Sequence, residues 1–549
     1  MTDADPAREA GFAAGTRAPA SRPRDSWPGR RPMVWAPRAH TVEVVLPQPA
    51  GPALREPLRL VGAHEPGYWR GDDELAVGTD YAFSVDGGPP VPDPCSTSLP
   101  HGVHGPGRVL DEDFPWTDAA WTGAHLTRGV LLHLDITRAT PEGDLDSAAA
   151  LLPQAAALGV EAVELAPVAQ FDPVRGPAAG VRLFAVHGPY GGPAALARFV
   201  DAAHRAGLAV VMDLPHRWAV ADALGLHAFG PYAAGSRIGP RPGTAARSDT
   251  PRINLDGSGS RGPRDFLVAD ARRWLTSFHV DGLLLDLDVL VDRSAAPFLG
   301  ELAEAVQAIG ASTGRHRALL TDGRGMSDRL AGLVRELLEG RLTDPSGLIK
   351  QLSTDTANVG APPRDAPPSL RRAYRATQRS GPVLVSELTR LPAAARALPW
   401  ALADVGSRDP DPDGDDRAIM LATSLLAGTP VVLDTEHVPL GCPETSSRRL
   451  RDWTRTLLTL RAAALHDVQD DLDATAEDDV VVVRRGRTAL VLVLAREPRT
   501  VDLARRLPTT SSTWGVVAAW HDATAVADGG LRVPGRGAVV LHEEPADEL

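Results

Sequence analysis

The chain has 549 residues, more than one ordinary hydrophobic core serves, so two or three domains are expected. A net charge of −13 with 57 basic against 70 acidic residues argues against nucleic acid and anionic membranes as partners, since both demand clustered positive potential. Cys95 and Cys442 are the only cysteines, too few and too far apart for a disulfide framework, which points to a reducing cytoplasm.

Residues 1–31, rich in Pro, Gly, Ala and mixed charge, contain no apolar run of signal-peptide length and are expected to be a disordered tail. No stretch of the sequence approaches the roughly 20 apolar residues that cross a bilayer. From Pro32 to Trp121, short alternating runs such as Thr41–Leu46 and Tyr81–Val85 separated by Pro and Gly turns predict a small β-sandwich.

Within residues 122–466 the pattern changes to short apolar strands alternating with amphipathic helices. Strands are expected at Val130–Ile136, Ala162–Ala166, Ala209–Leu214, Gly282–Asp286, Ala318–Asp322, Ala401–Val405 and Pro430–Leu433, and helices at Ser147–Leu158, Pro193–Ala206 and Arg451–Leu465. These units close naturally into a (β/α)₈ TIM barrel with its chemistry at the carboxyl ends of the strands. The span between Asp322 and Leu333 looks too short for a full sixth unit. Residues 467–549 carry the valine-rich runs Asp479–Val483, Ala489–Leu494 and Gly537–Leu541, and predict a second β-sandwich.

Several stretches carry a resemblance. Phe278–Asp288 resembles the fourth-strand motif of the α-amylase superfamily; Pro189–Pro193 through Asp213 is similar to that family's third βα unit; Gly102–Pro106, Thr140–Gly143 and Pro251–Gly257 resemble maltooligosyltrehalose trehalohydrolases in particular. The fragments Val34–Pro37, Gly67–Trp69 and Pro90–Pro94 resemble the amino-terminal sandwich of superfamily members acting on glycogen-like chains.

The resemblance places Asp286 at the nucleophile and Asp322 at the proton donor, where a glutamate is expected. It places Ala403 where a transition-state carboxylate is expected, with Asp404 beside it as a displaced stabiliser. Retaining cleavage of an α-glucosidic bond needs two carboxyl groups about 5 Å apart across the anomeric carbon. Losing one member of such a unit costs on the order of 10⁴-fold in rate. Leu284 replaces the arginine that supports the nucleophile, and Trp218 replaces a sugar-binding histidine. The loop Gly176–Gly180 lacks the family's stacking tyrosine. His216, Trp218 and Arg408 are candidate substrate contacts, and Asp281, at the opposite end of its strand from Asp286, is expected to be structural.

The expectation is therefore a trehalohydrolase-like protein of α-glucan or trehalose metabolism that is catalytically inactive, binding a maltooligosaccharide or partnering an active trehalose-pathway enzyme. The alternatives are an active glycosidase releasing trehalose from maltooligosyltrehalose, and a scaffold that binds no sugar. No cofactor and no metal are expected.

Overall fold

The computed structural model describes residues 28–321, 340–343, 401–405 and 415–545. Left out are 62–65, 125, 127–128, 238–250, 287–288, 291 and 295–296 in the first stretch, and 416–417, 420, 423–430, 435–439, 441–444, 465–471, 478, 509–511 and 527–528 in the last. The expected tail at 1–31 lies almost wholly outside the described residues.

Two antiparallel sheets come first. Met33–Trp35, Tyr68–Arg70 and Arg59–Leu60 form one, and Leu54–Pro57, Val42–Leu46, Asp80–Val85 and Gly107–Arg108 the other, each in that spatial order. The turn after Val85 holds Asp86 at a φ of 49°. The Asp86 carboxylate ties this turn to the start of the neighbouring strand, accepting from the amides of His40 (2.7 Å) and Thr41 (2.8 Å).

The barrel follows. Its strands are β1 Val130–Leu134, β2 Ala162–Leu165, β3 Ala209–Leu214, β4 Gly282–Leu285, β5 Ala318–Thr321, β6 Gly340–Thr343, β7 Ala401–Val405 and β8 Val431–Asp434, and they pair in parallel into one closed ring. The sixth strand is therefore present, contrary to the sequence-based expectation of a shortened unit. It lies beyond Leu333, where Leu320 pairs with Gly340 and Arg341 with Ala401. Gly-Arg-Leu-Thr carries neither an apolar run nor strong β-propensity, so nothing local marks it as a strand.

Strand alternation sorts the apolar residues. Leu131, Ala162, Ala209, Val211, Leu284, Ala318 and Leu320 pack together as one cluster inside the ring, with Leu126. Their neighbours Val130, Leu132, Val163, Val210, Leu283, Leu285 and Leu319 join the larger cluster beneath the surrounding helices. Among those helices are α1 Gly192–Arg205, α2 Arg261–Ser277, α3 Phe298–Thr313 and α4 Thr445–Ala464. In α1 the buried Ala195, Leu196, Phe199, Val200 and Ala203 recur at three- and four-residue spacing, which sets the face turned to the sheet. The helix expected at 147–158 is instead two short ones, Leu145–Ala149 and Leu152–Leu158. Pro153 explains the break: it lacks an amide hydrogen and is tolerated in the first turn of the second helix.

A charged knot closes the amino-terminal end of the barrel. His204, near the end of α1, bonds Asp118 through Nδ1 (2.8 Å) and Asp281 through Nε2 (2.9 Å); Arg315 and His279 also reach Asp118, and Trp121 Nε1 and Arg317 reach Asp281. Burial alone would raise the Asp118 carboxyl, but its bonds from Arg315, His279 and His204 prevail and hold it well below the usual carboxylate range. Asp281 thus anchors the start of β4, at the opposite end from Asp286.

After α4, a five-stranded antiparallel sheet runs in the order Leu472–Glu477, Val480–Arg485, Thr488–Val493, Gly537–Pro545, Ser512–Ala519. Val481, Val483, Leu490, Leu492 and Val540 face the main core. Val480, Val482, Val491, Val493 and Val539 pack instead on Val501, Leu531 and Val533 of a three-stranded sheet. No helix among the described residues is long and apolar enough to cross a membrane.

Candidate active site

The mouth of the barrel inherits its side chains from the interior alternation. Leu131 of β1, Ala162 of β2, Val211 of β3 and Leu284 of β4 face the lumen, so two residues further on the same face carries His133, Glu164, Asp213 and Asp286. The upper lumen is polar and ionisable where the lower lumen is aliphatic.

Asp286 follows β4 directly. Its Oδ2 accepts from Arg217 Nη2 at 2.5 Å, and both side chains are about a quarter exposed, at 23% each. Arg217 comes from the turn after β3, next to β4 in the ring. The supporting arginine that the resemblance places at 284 is absent, and Leu284 is 7% exposed within the lumen cluster. A guanidinium nevertheless reaches the carboxylate, from the adjacent strand end. Beside this pair, His133 Nδ1 of β1 meets Glu164 Oε2 of β2 in a short hydrogen bond across register partners.

His216 does not belong to the substrate-facing set. Its ring is 1% exposed and its Nε2 bonds Asp270 of α2 at 3.1 Å, while Trp274 Nε1 donates to the other Asp270 oxygen. The preceding Pro215 turns the chain so that His216 packs against the helix, a buried structural partner rather than a ligand contact. Trp218 closes the same short turn and is half-buried against the main core. Ala403 and Asp404 lie on β7, paired with Val431 and Val432 of β8. Asp322 and Arg408 lie outside the described residues.

The loop after β2 forms a second aromatic patch. The hairpin of Ala169–Phe171 with Val181–Val186 brings Phe171 flat onto His187 (ring centroids 4.2 Å apart), with Tyr190 edge-on at 4.7 Å. Burial lowers the His187 pKa, favouring its neutral form, and burial together with the charge of Asp135 raises Tyr190. At the tip, Gly176–Gly180 carries no ring, and Val174 is 91% exposed. Among the described residues no group of three or more His, Cys, Asp or Glu side chains is arranged to hold a metal ion.

Arg217, His133 and Glu164 were not singled out from the sequence. The available signals were a basic residue in the turn after the third barrel strand and a polar residue at an inward-parity position of each of two otherwise apolar strands.

A closed parallel eight-stranded ring defines a (β/α)₈ barrel, here with a carboxylate just past its fourth strand. Solved structures agree at the level of fold. The chain superposes on a putative alpha amylase from Salmonella typhimurium with a TM-score of 0.69 at 20% identity, covering 93% of this chain and 97% of that one. A pullulanase from Paenibacillus barengoltzii, solved with maltohexaose and alpha-cyclodextrin, gives 0.67 at 16% identity, covering 94% and 93%.

No protein-family model matches the chain. Curated relatives are more specific. Malto-oligosyltrehalose trehalohydrolase from Arthrobacter ramosus is 39% identical over 298 residues, 53% of this chain and 50% of the relative. The trehalohydrolase of Rhizobium sp. (strain M-11) is 36% identical over 297 residues, 53% and 48%. A 1,4-alpha-glucan branching enzyme from Paraburkholderia xenovorans is 33% identical over 292 residues, 48% and 38%. The chain is thus similar to malto-oligosyltrehalose trehalohydrolases over about half of its own length, and it spans about half the length of the curated relatives it matches.

Proposed function

We propose that the barrel mouth binds an α-linked glucan and that hydrolysis there has been lost or reduced to a trace. Ala403 carries this reading: it stands at the position of the third carboxylate, and a site without its preset charge loses most of its transition-state stabilisation. The Arg217–Asp286 pair at 2.5 Å does not decide it, because an arginine beside the nucleophile is also what the resemblance expects of an active site. Asp322 and Asp404 are proposed as remnants of the acid and the stabiliser, with Trp218 and Arg408 as glucan contacts. The paired sheets at 32–121 and 467–549 are read as β-sandwich domains around a barrel domain at 122–466. A trehalose-pathway enzyme is the partner this reading suggests.

The second reading, a hydrolase releasing trehalose from maltooligosyltrehalose, is favoured by the names of the relatives at 34–39% identity and has at least equal support from them. Two measurements separate the readings. Calorimetric titration with maltohexaose is expected to give saturable heat, and incubation with maltooligosyltrehalose is expected to give no more trehalose from wild type than from Asp286→Asn. Trehalose production that disappears in Asp286→Asn would establish the hydrolase. Absence of heat with every maltooligosaccharide would leave only a sugar-independent scaffold.

A further inference from the structure

We propose that the cavity between the amino-terminal sheets and the loop after β3 is a second sugar site, separate from the barrel mouth, that takes an uncharged glucosyl unit of an α-glucan. The choice of glucan rests on the function proposed above. The cavity stands apart from that site, since neither Arg217 nor Asp286 lines it.

Its walls are held in place. The cavity has a volume of about 350 Å³, within the range of small-molecule sites. Arg38 and Asp86 line it from the amino-terminal sheets, and Asp222, His227, Phe229 and Tyr232 from the loop after β3. Phe229 stands edge-on to Phe83 at 6.3 Å, and Tyr232 edge-on to Trp35 at 5.5 Å and to Phe266 at 5.4 Å. At Gly230 the loop comes so close to the sheets that a Cβ would lie 2.8 Å from the Trp35 ring. The seam is thus close-packed immediately beside the cavity, and a gap framed this rigidly is preorganised for a ligand.

The lining decides what kind of ligand fits. Phe229 and Tyr232 are 1% exposed and give an apolar wall suited to the C–H faces of a sugar ring. Arg38, Asp222 and His227 are exposed, and among the described residues none of these three side chains has a hydrogen bond or ion pair. The Asp86 carboxylate is fixed in direction by the amides of His40 and Thr41. The rim therefore sets one guanidinium against two carboxylates, without the clustered positive charge that an anion requires. Carboxylates accept from neighbouring hydroxyls, the guanidinium donates to hydroxyl or ring oxygens, and the imidazole can do either. Mixed donors and acceptors over an apolar wall match a neutral polyol.

The test follows hydrogen exchange of wild type with maltotriose, reading the turn around Asp86 for the cavity and the segment around Asp286 for the mouth. Calorimetric titration of wild type, Asp222→Ala and Ala228→Trp runs alongside; Ala228 is an exposed lining residue whose replacement by tryptophan fills the cavity. Maltotriose should slow exchange around Asp86. The titration should show a class of site that weakens roughly tenfold in Asp222→Ala, through loss of a charge-assisted hydrogen bond, and disappears in Ala228→Trp. Protection around Asp286 without protection around Asp86, or titrations unchanged in both variants, overturns the second site and leaves glucan binding at the mouth standing. Protection around Asp86 alone upholds the second site and overturns binding at the mouth, and protection of neither segment overturns both. Inorganic phosphate should leave the Asp86 turn unaffected; protection by phosphate overturns the assignment to a neutral sugar. The exchange measurement needs only the wild-type protein, so it decides the matter even where a variant fails to fold.

Discussion

Asp93 shows how a single buried group ties stability to pH. It sits in the Pro90–Pro94 stretch, accepts from the Tyr81 hydroxyl (2.7 Å) and the Cys95 amide (2.8 Å), and is 3% exposed. Burial pushes its pKa up to about 6 despite those bonds and the nearby charge of Arg182. A carboxyl whose folded pKa is raised gives stability that is complete below the unfolded value near 4 and is lost as pH rises through about 6. Asp93→Asn keeps an acceptor for the Cys95 amide and removes the ionisation. Relative to wild type the variant should therefore gain on the order of 3 kcal/mol between pH 4 and pH 7, read by urea unfolding at both; an unchanged difference would exclude Asp93 as the titrating group. The ring of His204 lies between the carboxylates of Asp118 and Asp281, all with side chains 1% exposed. His204→Ala removes one partner from each acid while Arg315 and His279 still hold Asp118 and Trp121 and Arg317 still hold Asp281, and should cost about 1–3 kcal/mol in the same assay at pH 7. Asp118, with its depressed pKa, contributes stability above its unfolded value near 4, lost only as pH falls through its lower folded value, so acid sensitivity from this knot begins below about pH 4.

At the scale of elements, Gly262 in the first turn of α2 sets two principles against each other. Alanine is the better helix former by about 1 kcal/mol. A Cβ at 262, however, would lie 2.1 Å from Cδ2 of Trp35, a ring that is itself 2% exposed and has no room to move. Steric exclusion is the larger effect, and Gly262→Ala should lower stability by roughly 1–3 kcal/mol net in urea melts; a neutral or stabilising result would show that the Trp35 seat is loose. The same element shows what a sequence can reveal. The periodic, well-separated strands β1 to β5 and the helices α1 and α4 were legible because each carries its own apolar pattern, whereas Asp286 was singled out only through the resemblance carried by Phe278–Asp288. Gly340–Thr343 was not, because its strand identity comes from pairing with β5 and β7. The Arg217–Asp286 pair was invisible for a related reason: the residues are 69 apart and meet only because β3 and β4 are neighbours in the ring. His216 was a candidate contact only by its place near the end of β3, and the fold instead sets its ring against Asp270.

Across the whole molecule, the amino-terminal sheets are sealed to the barrel. Trp35 stands edge-on to Tyr232 at 5.5 Å, and Phe83 edge-on to Phe229 at 6.3 Å. Tyr68 donates to Asp265 of α2 at 2.9 Å, and Arg182 from the β2–β3 segment donates to the carbonyls of Val103 and Leu224. These residues belong to, or lie against, one apolar cluster that also runs through the barrel and one face of the carboxy-terminal sheet. A shared core leaves the amino-terminal sheets without an independent route to unfolding, since opening them exposes the barrel's own helix faces. Calorimetry should therefore show the amino-terminal sheets and the barrel melting in one transition. Trp35→Ala, which removes the largest fully buried ring from this seam, should lower stability by about 3–5 kcal/mol and broaden or divide that transition. Two resolved transitions in the wild-type protein, with the earlier one insensitive to Trp35→Ala, would mean the sheets fold apart from the barrel. The mouth around Asp286 would then owe nothing of its geometry to them.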